Sequence, residues 1–231
     1  MTGLAKNIAS LMDEWAEFHK DKGLNCFISD GAVNADAYQK SNPKIVFFLK
    51  EAYSKNNDEN WSLTDWLNGG AMTKMWSTVS EWTYGIRNTT SSTIPQKPRL
   101  TRGEKIDLLK TIAIVNVKKS NGKSTSTYAD LLNFVKSDLL YLKKELEILS
   151  PDIIVCGNNS SLLRAIYGAN IQKDKVDSTG LIDADFMRQN GYALIDNHII
   201  VDFYHPANQY PSILNYYSIC GIYQQALKAK G

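Results

Sequence analysis

Residues 112–156 decide the fold that this sequence predicts. They comprise an apolar run, IAIVNV (112–117), a basic turn, an amphipathic stretch over about 127–149, and a second apolar run, DIIVC (152–156). The amphipathic stretch repeats Leu, Val and Tyr at helical spacing and ends at Ser-Pro, whereas both apolar runs have the length and β-branched content of buried strands. The segment is therefore a strand–helix–strand unit whose two strands run in the same direction.

The flanking sequence continues this alternation of helix and strand signals. An amphipathic helix precedes Gly23, and IVFFLK (45–50) predicts another buried strand. The segments 192–195 and 199–204 predict a hairpin, and a final helix begins near Pro211. Such alternation favours an α/β fold, which we interpret as a three-layer α/β/α sandwich with a central, mostly parallel four-stranded sheet.

A single domain over residues 1–231 accounts for the whole length. Domains of α/β type reach about 200–250 residues, and no linker rich in Gly and Pro divides this chain. We expect one insertion, Trp-rich and basic, at about 54–110, with a loop over 88–103. Its tryptophans are interpreted as core residues rather than a base-stacking platform. They are Trp61, Trp66, Trp76 and Trp82.

Composition excludes several classes of protein. With 43% hydrophobic and 22% charged residues, the chain is neither disordered nor fibrous. No apolar run approaches the ~18 residues that a membrane span requires, and the N-terminus carries acids where a signal peptide needs apolar residues. Three scattered cysteines, Cys26, Cys156 and Cys220, predict neither a disulfide framework nor a metal knuckle. We expect a soluble, cytoplasmic protein, monomeric and without a membrane partner.

Positive charge is concentrated in one part of the chain. Residues 86–123 hold nine basic and two acidic residues, a net charge of +7, while the rest of the chain carries −5. Such asymmetry suggests a surface that meets an anion such as a nucleic-acid backbone, although for the charge run taken alone a solvated basic loop is the simpler explanation. Only five of the 26 basic residues are Arg, which limits bidentate reading of bases but not lysine contacts to phosphate.

Three polar residues follow or end predicted strands. Glu51 ends the first, Asn116 lies near the end of the second, and His205 follows the last. Ligands of open α/β sheets bind at the carboxyl ends of the strands, so a carboxylate, a carboxamide and an imidazole are expected to converge in one cleft. Each also has an ordinary explanation, as a surface acid, a turn-stabilising amide and a loop histidine.

The order of these motifs resembles the uracil-DNA glycosylase superfamily. The matching segments are KEAY (50–53), IVNVKK (114–119) and HPAN (205–208), with LEILSPDIIVCG (146–157) similar to the segment around the third strand. The resemblance runs in order from about 44 to 208. The first motif lacks the usual opening Gly and Pro, an Ala replaces the usual Ser of the third, and the cysteines of the iron–sulfur branches are absent.

The resemblance implies hydrolysis of the N-glycosidic bond of uracil or a related damaged base in DNA. Glu51 would then steady the sugar cation or orient water, and His205 would stabilise the departing base. Asn116 would pair with the edge of the flipped base, and Tyr53 or Phe48 would stack on it. No cofactor or metal is implied. Candidates for phosphate contacts are Lys118, Lys119, Lys123, Arg99, Arg102 and Ser160.

Two other classes of function remain open from the sequence. One is an inactive module of the same fold that binds nucleic acid or nucleotide. The other is a hydrolase of free nucleobases or nucleosides. Serine hydrolases and P-loop proteins are excluded, because GxSxG and GxxxxGK[ST] are absent.

Overall fold

The computed structural model describes residues 2–24, 26–52, 59–121, 126–172, 175–177, 181–195 and 198–231. Its helices are α1 (Gly3–Asp21), α2 (Ala35–Gln39), α3 (Leu63–Asn68), α4 (Lys74–Asn88), α5 (Arg102–Lys110), α6 (Tyr128–Leu149), α7 (Ser160–Ile166), α8 (Ala184–Asn190) and α9 (Ser212–Lys230). Its strands are β1 (Ile28–Ser29), β2 (Gly31–Ala32), β3 (Ile45–Glu51), β4 (Trp61–Ser62), β5 (Ala113–Lys118), β6 (Ile153–Gly157), β7 (Ile171–Gln172), β8 (Lys175–Val176), β9 (Tyr192–Ile195) and β10 (His198–Phe203). None of the helices in these ranges is long and apolar enough to cross a membrane.

A six-stranded sheet in the order β2-β5-β3-β6-β10-β9 forms the centre of the fold. The four inner strands pair in parallel, and the edge strands β2 and β9 pair antiparallel with their neighbours. The α/β class is confirmed, but the predicted four-stranded sheet is wrong. The parallel part has four strands, and two short antiparallel strands extend it at its edges.

The predicted strand–helix–strand unit corresponds to β5, α6 and β6. Both strands run in the same direction, yet they are not neighbours, because β3 pairs in parallel with each of them. The carboxyl ends of β5, β3, β6 and β10 consequently lie along one edge of the sheet. This edge is the position at which open α/β sheets bind ligands.

The inner strands are buried on both faces, as parallel strands usually are. Along β3, Val46 and Phe48 pack into the core beside α1 and α6, whereas Ile45, Phe47 and Leu49 pack into a second core beside α4 and α9. All five side chains are at most 2% exposed. The alternation follows from the period of two residues in a strand.

The helices begin and end where local chemistry predicts. The hydroxyl of Thr127 accepts a hydrogen bond from the Asp130 N–H at the start of α6, and Ser150 ends that helix in the left-handed conformation with a φ of 44° before Pro151. In the insertion, the hydroxyl of Ser62 caps α3 in the same way. The turn predicted at 196–198 lies mostly outside the described residues.

The insertion is fixed to the rest of the protein where α4 crosses α9. A Cβ atom at Gly85 would lie 2.5 Å from the sulfur of Cys220 and 2.8 Å from the ring of Tyr216. No side chain fits between these helices unless one of them moves. A glycine at position 85 is therefore a requirement of the close helix contact.

We expect Gly85→Ala to lower the free energy of unfolding by about 1–3 kcal/mol, because the added methyl group overpacks this contact. Gly221→Ala is the matched control, since a Cβ there meets nothing within 4 Å. The control is expected to stabilise α9 by up to about 1 kcal/mol through helix propensity alone. Urea denaturation measures both, and equal effects of the two substitutions would contradict the packing argument.

Candidate functional site

A cavity of about 530 Å³ lies at the carboxyl ends of the parallel strands. Glu51, Asn116 and His205 all contribute to its wall, so the structure brings together the three polar residues that the sequence singled out. The remaining wall is mostly apolar and comes from β3 and the insertion. It consists of Leu49, Ala52, Trp61, Leu63, Trp66, Met75 and Trp76.

Glu51 is the last residue of β3, and its side chain is only 7% exposed. One carboxylate oxygen accepts a hydrogen bond from the hydroxyl of Ser126. The other, Oε2, lies 3.6 Å from the Nζ of Lys118 and has no hydrogen-bond partner among the described residues. The site therefore holds a carboxylate oxygen that is shielded from bulk solvent and able to accept a hydrogen bond from a further donor.

Asn116 lies in β5 and is 2% exposed. Its backbone N–H and its side-chain Nδ2 both donate to the Oδ2 atom of Asp30, at 2.8 Å and 2.9 Å. Asp30 directly precedes β2, the edge strand that pairs with β5. The sequence analysis did not single out Asp30, because β2 is only two residues long and carries no strand signal.

His205 follows β10 and reaches the cavity from the loop beyond it. Its Nδ1 accepts a hydrogen bond from the backbone N–H of Ala207 at 3.2 Å. Burial, together with the positive charge of Lys50, lowers the pKa of His205 to about 4. At neutral pH the ring is therefore uncharged, and with Nδ1 as acceptor its proton resides on Nε2. The imidazole is a neutral hydrogen-bond donor.

Gly157, the last residue of β6, allows this arrangement. A Cβ atom there would lie 3.0 Å from Leu49 Cδ2, 3.2 Å from His205 Cδ2 and 3.6 Å from His205 Cα. The histidine loop thus packs directly on the backbone of the neighbouring strand. This contact fixes His205 relative to β3 and β6 rather than leaving it on a free loop.

The aromatic residues around the cavity differ from those expected. Phe48 is 0% exposed and packs on the opposite face of the sheet, so it is not available to stack on a ligand. Tyr53 lies outside the described residues. Trp61, Trp66 and Trp76 instead form the aromatic part of the cavity wall, although Trp76 is also 95% buried in the core. The interpretation of the four tryptophans as core residues is confirmed for Trp76 and Trp82, which are 5% and 1% exposed, and is wrong for Trp66, which is 43% exposed.

The two adjacent lysines after Asn116 have different environments. Lys119 is completely buried between the carboxyl groups of Asp30 and Glu145, so the prediction that it binds phosphate is wrong. Lys118 is 11% exposed at its side chain and lies 3.0 Å from Asp130, in addition to its contact with Glu51. Lys118 thus contacts Glu51 of the site but is already engaged by carboxylates.

The other predicted phosphate ligands lie apart from this pair. Arg99 and Arg102 are exposed, and Arg102 donates to the carbonyl of Gly70 at 3.1 Å. Ser160 lies at a second cavity of about 390 Å³, where its hydroxyl donates to Asp202. Lys123 lies outside the described residues. Within the described ranges, no group of three or more His, Cys, Asp or Glu side chains is placed to hold a metal ion.

We expect the His205 ring to titrate near pH 4 in an NMR pH series. The pKa of an ordinary histidine, such as that of the unfolded chain, is about 6.5, so the unfolded state binds more protons between the two values. The stability that His205 contributes is therefore present above about pH 6.5 and is lost as pH falls toward 4. His205→Gln should remove this part of the pH dependence of unfolding. A midpoint near 6.5 would show that the ring is not desolvated.

Comparison of the chain with models of known protein families gave no match, and comparison with curated proteins gave no significant similarity. Function is therefore inferred from the cavity and from the groups that it brings together.

Proposed function

We propose that this protein is a hydrolase of the uracil-DNA glycosylase type, with the three-layer sandwich of that superfamily, which cleaves the N-glycosidic bond of uracil or a related damaged base in DNA. The observation that carries the proposal is the convergence of Glu51, Asn116 and His205 in one cavity. Its volume of about 530 Å³ lies within the range of small-molecule pockets. A carboxylate, a carboxamide and a neutral imidazole are the groups that this chemistry requires.

His205 stabilises the departing base. Cleavage of the bond leaves negative charge on the base, which is concentrated on a carbonyl oxygen. A neutral Nε2–H aimed at that oxygen stabilises charge that exists only in the transition state, and it does so most strongly where water is excluded. The low pKa of His205 supports this role, because the ring remains a donor without becoming a general acid near pH 7.

Glu51 acts on the sugar side of the bond. The sugar gains positive charge as the base departs, and a carboxylate at that position stabilises the cation or orients the attacking water. The Oε2 atom of Glu51 is suited to this role because it has no hydrogen-bond partner among the described residues. The positive charge of Lys118 lies 3.6 Å from this oxygen.

Asn116 and the tryptophans recognise the base. A carboxamide offers one donor and one acceptor to the edge of a flipped base, and an apolar aromatic wall replaces the stacking that the base loses when it leaves the duplex. Trp61 and Trp66 contact edge to face with ring centroids 6.4 Å apart. Both line the cavity on the side of the insertion.

The segment around His205 favours a DNA substrate. Tyr204, Tyr210, Ile213 and Leu214 are all about half exposed, and the rings of Tyr204 and Tyr210 pack with centroids 4.9 Å apart. Large apolar side chains beside a base-binding cavity are suited to enter a base step and replace an extruded base. A free nucleoside would require no such surface.

A second candidate function is hydrolysis of free nucleosides. It is favoured by the state of the two lysines, because Lys119 is buried and Lys118 is bound by carboxylates. The cationic surface near the cavity is therefore smaller than the sequence predicts. The choice between the two substrates is an experimental one.

We expect release of free base from oligonucleotides that carry uracil, hypoxanthine or xanthine. His205→Ala should lower turnover by about 10²–10³-fold with little change in DNA affinity, because its donor acts in the transition state. Glu51→Gln should also lower turnover with little change in DNA affinity. The control is His198→Ala, at the first residue of β10 and hence at the opposite end of that strand. Base release is measured by cleavage at the abasic site and affinity by fluorescence anisotropy.

The same assay separates the alternatives. Hydrolysis of deoxyuridine without reaction of any oligonucleotide would replace the DNA substrate by a free nucleoside. DNA binding without base release, unchanged by His205→Ala, would replace the enzyme by an inactive binding module.

A DNA partner also predicts a salt dependence. Arg99→Gln and Arg102→Gln should each weaken DNA binding and reduce the slope of log affinity against log salt by about 0.7–0.9, the value for one lost phosphate contact. Lys20→Gln is the control, since Lys20 is equally exposed but lies on α1, away from the cavity. Equal effects of all three substitutions would mean that the basic segment binds DNA no better than any other surface.

A further inference from the structure

Behind Asn116 lies a network of buried charged groups. Oδ1 of Asp30 contacts the Nζ of Lys119, which in turn lies 2.8 Å from Oε2 of Glu145, and all three side chains are 0% exposed. Burial lowers the pKa of Lys119, but the two carboxyl groups outweigh that effect and raise it. Burial raises the pKa of Glu145 well above its usual range. The network thus places one buried lysine between two buried carboxyl groups.

The ion pair determines which side-chain atom of Asn116 meets Asp30. A carboxylate can only accept hydrogen bonds, and its Oδ2 atom already accepts the backbone N–H of Asn116 at 2.8 Å. The side chain of Asn116 must therefore present Nδ2 to it, as it does at 2.9 Å. Rotation of the amide by half a turn would place two acceptor oxygens together at buried positions, which is strongly unfavourable.

We propose that Asp30 is a positioning residue that fixes the orientation of the Asn116 amide and thereby sets base discrimination in the cavity. The proposal rests on the proposed function and deepens it. With one Nδ2–H bound by Asp30, the cavity receives the Oδ1 acceptor and the second Nδ2–H of Asn116. This pair complements an N–H next to a carbonyl, as in uracil, and opposes an acceptor nitrogen next to an amino group, as in cytosine.

Lys119 has a specific part in this arrangement. Its Nζ occupies Oδ1 of Asp30, so that Oδ2 is left to accept both N–H groups of Asn116. An asparagine at position 30 has both a donor and an acceptor and would tolerate either orientation of the Asn116 amide. The lysine that resembles a phosphate ligand in the sequence thus acts on the opposite side of Asn116 from the substrate.

The test compares Asp30→Asn with Asp138→Asn. Asp138 is a second carboxylate with a completely buried side chain, bound by His19 at 2.6 Å and Trp15 at 3.1 Å, and none of these residues lines the cavity. The two substitutions remove the same charge from similarly buried positions. Because Asp30→Asn removes one of the two carboxylates that face Lys119, the double variant Asp30→Asn/Lys119→Met is made as well, so that both members of the Asp30–Lys119 pair lose their charge together.

Two readouts are needed. The first is the side-chain amide signal of Asn116 in a ¹⁵N–¹H NMR spectrum, which requires no substrate. Wild type should show two separate Nδ2 protons, one of them slow to exchange with water, and the slow proton should be lost in the Asp30 variants and kept in Asp138→Asn. The second is the ratio of affinities for oligonucleotides with uracil and with cytosine. This ratio should fall by about 5- to 150-fold in the Asp30 variants and stay unchanged in Asp138→Asn. The expected factor corresponds to the loss of one bidentate hydrogen-bonded pair.

The outcomes separate this proposal from the proposed function. An Asn116 amide whose two protons exchange equally fast in wild type overturns the positioning role, whatever the enzyme does. An unchanged ratio of the affinities for uracil and cytosine oligonucleotides in a folded Asp30 variant also overturns the positioning role. If the slow proton depends on Asp30 but wild type neither prefers uracil nor releases a base, the positioning of Asn116 stands and the glycosylase function fails.

Discussion

The parallel pairing of β3 with β5 on one side and β6 on the other is the constraint on which the rest of the structure depends. It brings the carboxyl ends of three strands together, and each end contributes one part of the site: Glu51 from β3, Asn116 from β5, and Gly157 from β6. Gly157 in turn allows His205 to approach, because no Cβ occupies the space that the histidine loop needs. The site is thus built on strand ends that the core holds in place, which limits the freedom of its reactive groups.

Desolvation is what gives the polar groups of the site their properties. Burial keeps the ring of His205 neutral and therefore a donor at physiological pH. Burial also makes a lost hydrogen bond costly for the ion pair of Asp30 and Lys119, because both side chains are shielded from bulk solvent. The same desolvation carries a cost in stability, as buried ion pairs seldom stabilise a fold relative to apolar residues. Retention of charge at these positions is better explained by the orientation of Asn116 than by stability.

The sequence predicted the elements that have strong periodic patterns. The helix predicted over about 127–149 is α6, and the runs at 45–50 and 152–156 are β3 and β6, because apolar periodicity over such lengths reflects burial directly. The helix α5 was not predicted, although Thr101 and Glu104 form a capping box at its start, because its short sequence has no regular apolar stripe. Asp30 was not predicted either. It acts through an edge strand of two residues, and only the tertiary pairing of that strand with β5 gives the carboxylate its role.

Two errors in the sequence analysis have a common physical origin in the period of a strand. Successive side chains point to opposite faces, so Glu51 shares its face of β3 with Leu49 and Phe47, whereas Phe48 lies on the other. In β5, Asn116 shares its face with Ile114, and Val115 and Val117 occupy the other. Lys119 follows that alternation, because it lies over the ring of Trp15 on the face of Val115 and Val117. Two adjacent lysines at a strand end therefore cannot both meet the ligand of that strand, and here Lys118 is the one that contacts Glu51.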